Sequence, residues 1–209
     1  MSELLSFIIS FVLIAILNIF LSMRSKKFEN KVSWQHYFFG YMFILYLVIA
    51  LTQVVGFPSL GEWQRLSRLN RPIFNPNINL IPFKDGIEIS SILNIIFFMP
   101  FGFLLPTLWR KYRTFWPTLY QGMLFSLIIE IGQMFIPYRA TDIDDLIMNT
   151  IGTICGWIIF NIMSKIFHKL VNKTVIQTIP KDGLITKLEP YLYIIIAIIS
   201  SLLRFTLKI

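Results

Sequence analysis

Six apolar runs decide what this chain can fold into. Leu4–Met23 holds twenty residues without a charge, Tyr37–Phe57 and Ile89–Trp109 hold twenty-one each, and Leu146–Ser164 holds nineteen. Thr118–Pro137 carries a single charge, Glu130, and Tyr191–Leu203 is a shorter run followed by Arg204. An α-helix needs about 20 apolar residues to cross roughly 30 Å of hydrocarbon. Five of the runs meet that length, and the sixth meets it if Arg204 snorkels to the headgroup layer. The runs lack period-two alternation and exceed the length of barrel strands, which selects helices. The expected fold is therefore all-α: a polytopic integral membrane helix bundle of five to six transmembrane helices, forming a single membrane domain over residues 1–209. Charged residues make up 14% of the chain and its mean hydropathy is +0.68. Both values argue against an ordinary soluble domain, where about a quarter of residues are charged, and against disorder. The single Cys155 excludes an intrachain disulfide and a cysteine-based zinc site. Leu4–Met23 follows Glu3 rather than a basic stretch, and no small-residue cleavage pattern follows it, so it is expected to be a span and not a cleaved signal peptide.

The lysines and arginines orient the spans. Twelve fall in the first, third and fifth connections, among them Arg24, Lys31, Arg110, Arg113, Lys165 and Lys181, and seven fall on the opposite side. Cytoplasmic loops carry the excess, so these connections face the cytoplasm and both termini face outward. The net charge of +8 is scattered over membrane-flanking loops instead of forming one stripe, which disfavours nucleic acid as a partner. In the longest outer connection, Pro58–Glu88, Arg65, Arg68 and Arg71 recur every third residue beside Leu66 and Leu69. Such a pattern reads either as a short helix lying in the interface or as a solvated loop. Asn75-Pro76-Asn77 reads as a turn.

Polar residues gather at one depth. At a rise of about 1.5 Å per residue, Asn94 lies roughly 8 Å, Glu130 roughly 10 Å, Gln133 roughly 6 Å and Asn149 roughly 5 Å below the outer surface. Hydrocarbon supplies no hydrogen-bond partner, so these groups are expected to face one another or a wet cavity. An ionised carboxylate at the position of Glu130 is costly unless paired. A protonated Glu130 bonded to Asn94 or Asn149 as interhelical glue is the plainer alternative. The outer turn Arg139-Ala140-Thr141-Asp142-Ile143-Asp144-Asp145 adds one cation and three acids. Thr141 or Asp142 is a good N-cap, and acids in a first turn favour the helix dipole. Arg139 is unexplained by capping; it would neutralise the acids or clamp an anionic head group. The spacing of the aspartates does not match an EF-hand loop, and no metal or other cofactor is expected. Pro100 and Gly102 sit mid-span, where proline frees a carbonyl and kinks a helix. Gly152 and Gly156 continue the face of Asp145 and Asn149, and small residues there let a neighbouring helix approach closely.

In order and spacing, Asn79-Leu80-Ile81-Pro82-Phe83, Asn94 through Pro100-Phe101-Gly102, Glu130-Ile131-Gly132-Gln133, Arg139 through Asp145, and Asn149-Thr150-Ile151-Gly152 with Gly156 resemble the VanZ-like family of teicoplanin-resistance membrane proteins. The resemblance covers a core of about 79–157. It implies a small multi-pass protein of the bacterial plasma membrane, associated with lowered susceptibility to teicoplanin-type lipoglycopeptides. Asn94, Glu130, Gln133, Arg139, Asp142, Asp145 and Asn149 become the expected functional residues, with Asn79, Pro82, Phe83, Pro100, Gly102, Gly152 and Gly156 as the structural motif.

Three readings of that set stay open. In a binding protein, Asn94, Gln133, Arg139 and Asn149 engage a lipid-linked envelope precursor or a lipoglycopeptide. In an intramembrane enzyme acting on a lipid-anchored polymer, Glu130 is general acid or base, with Asp142 or Asp145 as its partner. In a transporter or flippase, the polar layer and the Pro/Gly-interrupted span form a midplane site. The lipid bilayer is the partner that all three readings expect. The absence of a nucleophile motif ranks binding first.

Overall fold

The computed structural model describes residues 2–27, 33–54, 56, 59–74, 76–84, 86, 89–136, 139–174 and 184–203. Asn75, Pro137, Tyr138, Arg204 and the bounds Pro58 and Glu88 lie outside the described residues.

The chain is nearly all-α. Helix α1 spans Ser2–Lys27, and α2 spans Trp34–Ile49 before widening into a π turn over Ala50–Val54. The Ser33 hydroxyl starts α2 by accepting the backbone N–H of His36. Helix α3, Leu60–Arg68, begins the same way: Ser59 accepts the N–H of Glu62 at 3.2 Å, the first half of a capping box. Helices α4 (Ile89–Leu108), α5 (Phe115–Gln133) and α6 (Ile143–Ile166) follow, with a 3₁₀ turn over Arg110–Arg113 between α4 and α5. Two-residue strands β1 (Ile78–Asn79) and β2 (Thr141–Asp142) pair in parallel, Ile78 against Thr141 and Asn79 against Asp142. Helices α7 (His168–Thr174) and α8 (Leu184–Leu202) complete the fold.

Among the described residues, three helical stretches are long and apolar enough to cross a membrane: Trp34–Thr52, Ile89–Leu108 and Ile143–Ile166. Helices α1 and α8 contribute shorter apolar stretches, Phe7–Ile19 and Leu188–Leu202. The residues flanking the first, third and fifth connections meet at one end of the bundle, where His36, Trp109, Thr174 and Glu189 touch. The opposite end carries α3, the β1–β2 ladder and the start of α6.

The tightest packing is between α4 and α6, and glycine makes it possible. A Cβ at Gly152 would collide with the carbonyl oxygen of Ile95, at Gly156 with that of Met99, and at Gly102 with the backbone of Thr153. Backbone thus meets backbone, the small-residue contact that suits helices without a hydrophobic drive between them. Helix α4 runs through Pro100 and Pro106 without a break, so the expected kink does not end the helix. Beside that turn, the Tyr46 hydroxyl donates to the Phe97 carbonyl at 3.2 Å. Phe101 and Phe125 stack at 4.7 Å between ring centres and join α4 to α5, with Phe43 and Tyr193 completing the core.

Of the two readings of the arginine-bearing connection, Leu60–Arg68 takes the helical one, with Leu66 buried and Arg65 and Arg68 exposed. Arg71 falls beyond the helix, after Asn70 at φ 50.

Replacing Gly156 by alanine should lower unfolding stability in detergent by about 1–3 kcal/mol, the usual cost of overpacking. Alanine at exposed Ile162 on the same helix should change it by no more than a few tenths of that.

Candidate functional site

The end of α5 and the start of α6 define the site. After Gln133 the chain turns through Met134, Phe135 and Ile136, whose N–H groups bond to the carbonyls of Ile131, Gly132 and Gln133. It returns as β2, where the Thr141 N–H donates to the Asn77 carbonyl at 2.7 Å. Glu130 then fastens the junction with both its backbone and its side chain. Its carbonyl accepts the Thr141 hydroxyl at 3.1 Å, and its Oε2 accepts the Asp142 N–H at 3.0 Å. A carboxylate in this position satisfies backbone donors and faces the positive end of the α6 dipole.

The three aspartates hold three different things. Asp142 is the N-cap of α6, its Oδ1 accepting the Asp144 N–H at 2.9 Å, while its Oδ2 accepts from the Asn79 amide at 3.2 Å. Asp144 accepts the Phe83 N–H with both oxygens, at 2.9 and 3.1 Å. Phe83 sits at φ 54, a conformation rarely adopted by a bulky residue, and these bonds hold it in the turn with Pro82. Asp145 accepts the amide of Asn94 and so ties α6 to α4. Among the described residues, no group of three or more histidines, cysteines or acids is arranged to hold a metal ion.

The amides expected to meet one another take separate partners instead. Asn94 bonds to Asp145, whereas Asn149 donates to Ser126 on α5 at 3.0 Å. Antiparallel register explains the difference: Asn149 faces Ser126, and one turn further out the start of α6 faces Glu130. Gln133, one turn beyond Glu130, is buried. Glu130, Gln133 and Asn149 are 3%, 5% and 4% exposed, yet Glu130 Oε1, Gln133 Oε1 and Asn149 Oδ1 have no hydrogen-bond partner. Arg139 is exposed and close to Gly56, and its charge acts on Asp145. The carboxylates of Asp142 and Asp145 lie close enough to Glu130 to act on its charge. Arg139 is not among the charges acting on Glu130; the acid on which its charge acts is Asp145.

Sequence reasoning passed over Ser126 as an ordinary span residue and read Thr141 only as a possible N-cap, whereas its hydroxyl bonds to Glu130. It also missed a second buried polar knot at the other end. There the His36 ring nitrogens lie 2.8 Å from the Thr174 carbonyl and 3.1 Å from Glu189 Oε1, and Trp109 Nε1 donates to Glu189 Oε2 at 2.9 Å. A carbonyl only accepts, so Nδ1 carries the proton toward Thr174, and Nε2 and Glu189 share a further one. The signal was available: Glu189 abuts an apolar run, and His36 lies among aromatic residues at the start of a span. Next to this knot, the Tyr112 phenol is pushed well above its ordinary range by burial, and the Arg113 guanidinium is held lower by burial beside Arg110.

Fold and site together define a membrane protein, a helical bundle with a buried polar seam at one end. A family model described as VanZ/LLP1 matches residues 43–164, and the chain belongs to that family. The match extends beyond the motif-bearing core at both ends. "Protein VanZ" of Enterococcus faecium is 36% identical over 90 residues, 43% of this chain and 55% of that protein. The chain thus spans about half the length of the curated relative it matches. No solved structure matches it.

A double-mutant cycle on Asn94→Ala and Asp145→Ala should return a coupling energy of roughly 0.5–3 kcal/mol in detergent unfolding. Glu189→Ala, which strands His36 and the Trp109 N–H, should cost roughly 3–5 kcal/mol on its own.

Proposed function

We propose that this protein sits in the bacterial plasma membrane with five or six spans and outward termini, and lowers susceptibility to teicoplanin-type lipoglycopeptides. The seam of Asn94, Glu130, Gln133, Arg139, Asp142, Asp145 and Asn149 engages a lipid-linked envelope component or the antibiotic itself in the outer leaflet. Membership of the VanZ/LLP1 family and the likeness to a protein named VanZ support the biological setting. The excess of basic residues in alternate connections supports the orientation.

The observation that carries the reading is the set of three buried acceptors without donors. A native interior leaves few such groups, and three acceptors on the facing sides of α5 and α6 favour a binding surface over a packing defect. Binding is favoured over acid–base chemistry because Asp142 and Asp145, the partners a catalytic Glu130 would need, are engaged by Asn79 and Asn94.

Expressed in a susceptible bacterium, the wild-type chain should raise the inhibitory concentration of teicoplanin, and Glu130→Gln at equal membrane abundance should return it to the control value. Full protection by that variant would refute the role of the seam. In a Cys155→Ser background, Arg139→Cys should react with a membrane-impermeant maleimide added to intact cells. Labelling only after lysis would invert the proposed orientation.

A further inference from the structure

We infer that the seam between α5 and α6 receives an ammonium group, the primary amine head of an amphiphile, rather than the anionic head group that Arg139 alone would suggest. The inference rests on the binding reading above and specifies the chemistry of its ligand.

Three observations converge. First, three unmatched oxygens lie on the facing sides of α5 and α6 at this end: Glu130 Oε1, Gln133 Oε1 and Asn149 Oδ1, each on a side chain at least nine-tenths buried. Ser126, Glu130 and Gln133 share the α5 face toward α6, at i, i+4 and i+7. The Asn149–Ser126 bond and the Glu130–Asp142 bond fix the register of the facing helix. The three oxygens therefore line one stretch of a single seam, about 10 Å long at the helical rise. A phosphate or carboxylate brings only further acceptors, whereas an ammonium brings three donors.

Second, the local charge is negative. Asp142, Asp144 and Asp145 cluster at the junction beside Glu130, and Arg139 is the cation that acts on Asp145. The remaining cations at this end, Arg65, Arg68, Arg71 and Lys84, are exposed, and Arg65 is paired with Glu62. Third, aromatic rings adjoin the outer end of the seam. Phe135, two residues past Gln133, packs against Trp63 of α3 at 6.0 Å and against Phe74 at 5.3 Å between ring centres. Ring faces beside carboxylates are the surroundings that cations prefer. The Trp63 indole N–H is buried without an acceptor and supplies one donor for an oxygen next to the amine.

The test uses the full chain in dodecyl maltoside micelles, with dodecylammonium, its neutral N-acetyl derivative and dodecyl phosphate as probes. Dodecylammonium should bind about tenfold more tightly than the N-acetyl compound, the value of one charge-assisted hydrogen bond. Glu130→Gln and Gln133→Leu should each erase that preference, while Tyr120→Ala on the exposed side of α5 should keep it. Equal binding of the amine and its N-acetyl derivative, tighter binding of dodecyl phosphate, or an amine preference that survives in folded Glu130→Gln protein would overturn the inference. So would stabilisation by sodium chloride alone equal to that by the amine, which would give the oxygens to an alkali cation. Two arms separate the sources of the amine. Competition by phosphatidylethanolamine but not phosphatidylglycerol in nanodiscs places it on a bilayer lipid, and competition by teicoplanin added from water places it on the antibiotic. If Glu130→Gln loses protection in cells while the wild type ignores dodecylammonium, the envelope role stands and the ammonium falls. The reverse pattern leaves the ammonium standing and removes the envelope role.

Discussion

The bond between the Glu130 carboxylate and the backbone N–H of Asp142, the N-cap of α6, is the contact on which this end of the molecule depends. A helix that begins near hydrocarbon exposes four N–H groups with no intrahelical acceptor, and lipid cannot supply one. Glu130 supplies it from the neighbouring helix for the Asp142 N–H, and Asp142 in turn caps that of Asp144. From that point the other connections follow. Asp142 reaches Asn79, Asp144 reaches Phe83, and Asp145 reaches Asn94, so one acidic turn organises the approach to α4 and α4 itself. Acids that would be expensive as free charges become acceptors for amides and backbone.

The glycine contact between α4 and α6 is the second requirement. Asn94 reaches Asp145 only because the helices come together at Gly152 and Gly156, one and two turns further along α6 from the seam. Polar and apolar parts of the motif thus serve one geometry: close backbone packing sets the distance, and the amide–carboxylate bond sets the register. Pro100 fits this arrangement because the helix it interrupts is supported by its neighbour along the same turns.

Much of this was legible in the sequence. Length and charge of the apolar runs placed α2, α4 and α6, because crossing hydrocarbon leaves few alternatives for an uncharged stretch of that size. The capping role of Asp142 and the packing role of Gly152 and Gly156 followed from residue type and helical spacing. Partner choice was not legible. Depth counting put Asn94, Glu130, Gln133 and Asn149 in one layer, but depth carries no rotation, and the amides turned to Asp145 and Ser126 instead of to each other. The ladder between residues 78–79 and 141–142 was equally hidden, since strands of two residues have no periodicity to detect. His36 and Glu189 lie 153 positions apart, and nothing local to either announces the other.

The Asn79–Asp142 bridge joins positions 63 residues apart and has a consequence for how the chain is made. Asn79 leaves the ribosome first, and its partner emerges only after two whole helices have been synthesised. The closure of this loop is therefore a late event in biogenesis. The Glu130–Asp142 bond, by contrast, joins positions only twelve apart, so the turn after α5 can close locally first and then present Asp142 to Asn79.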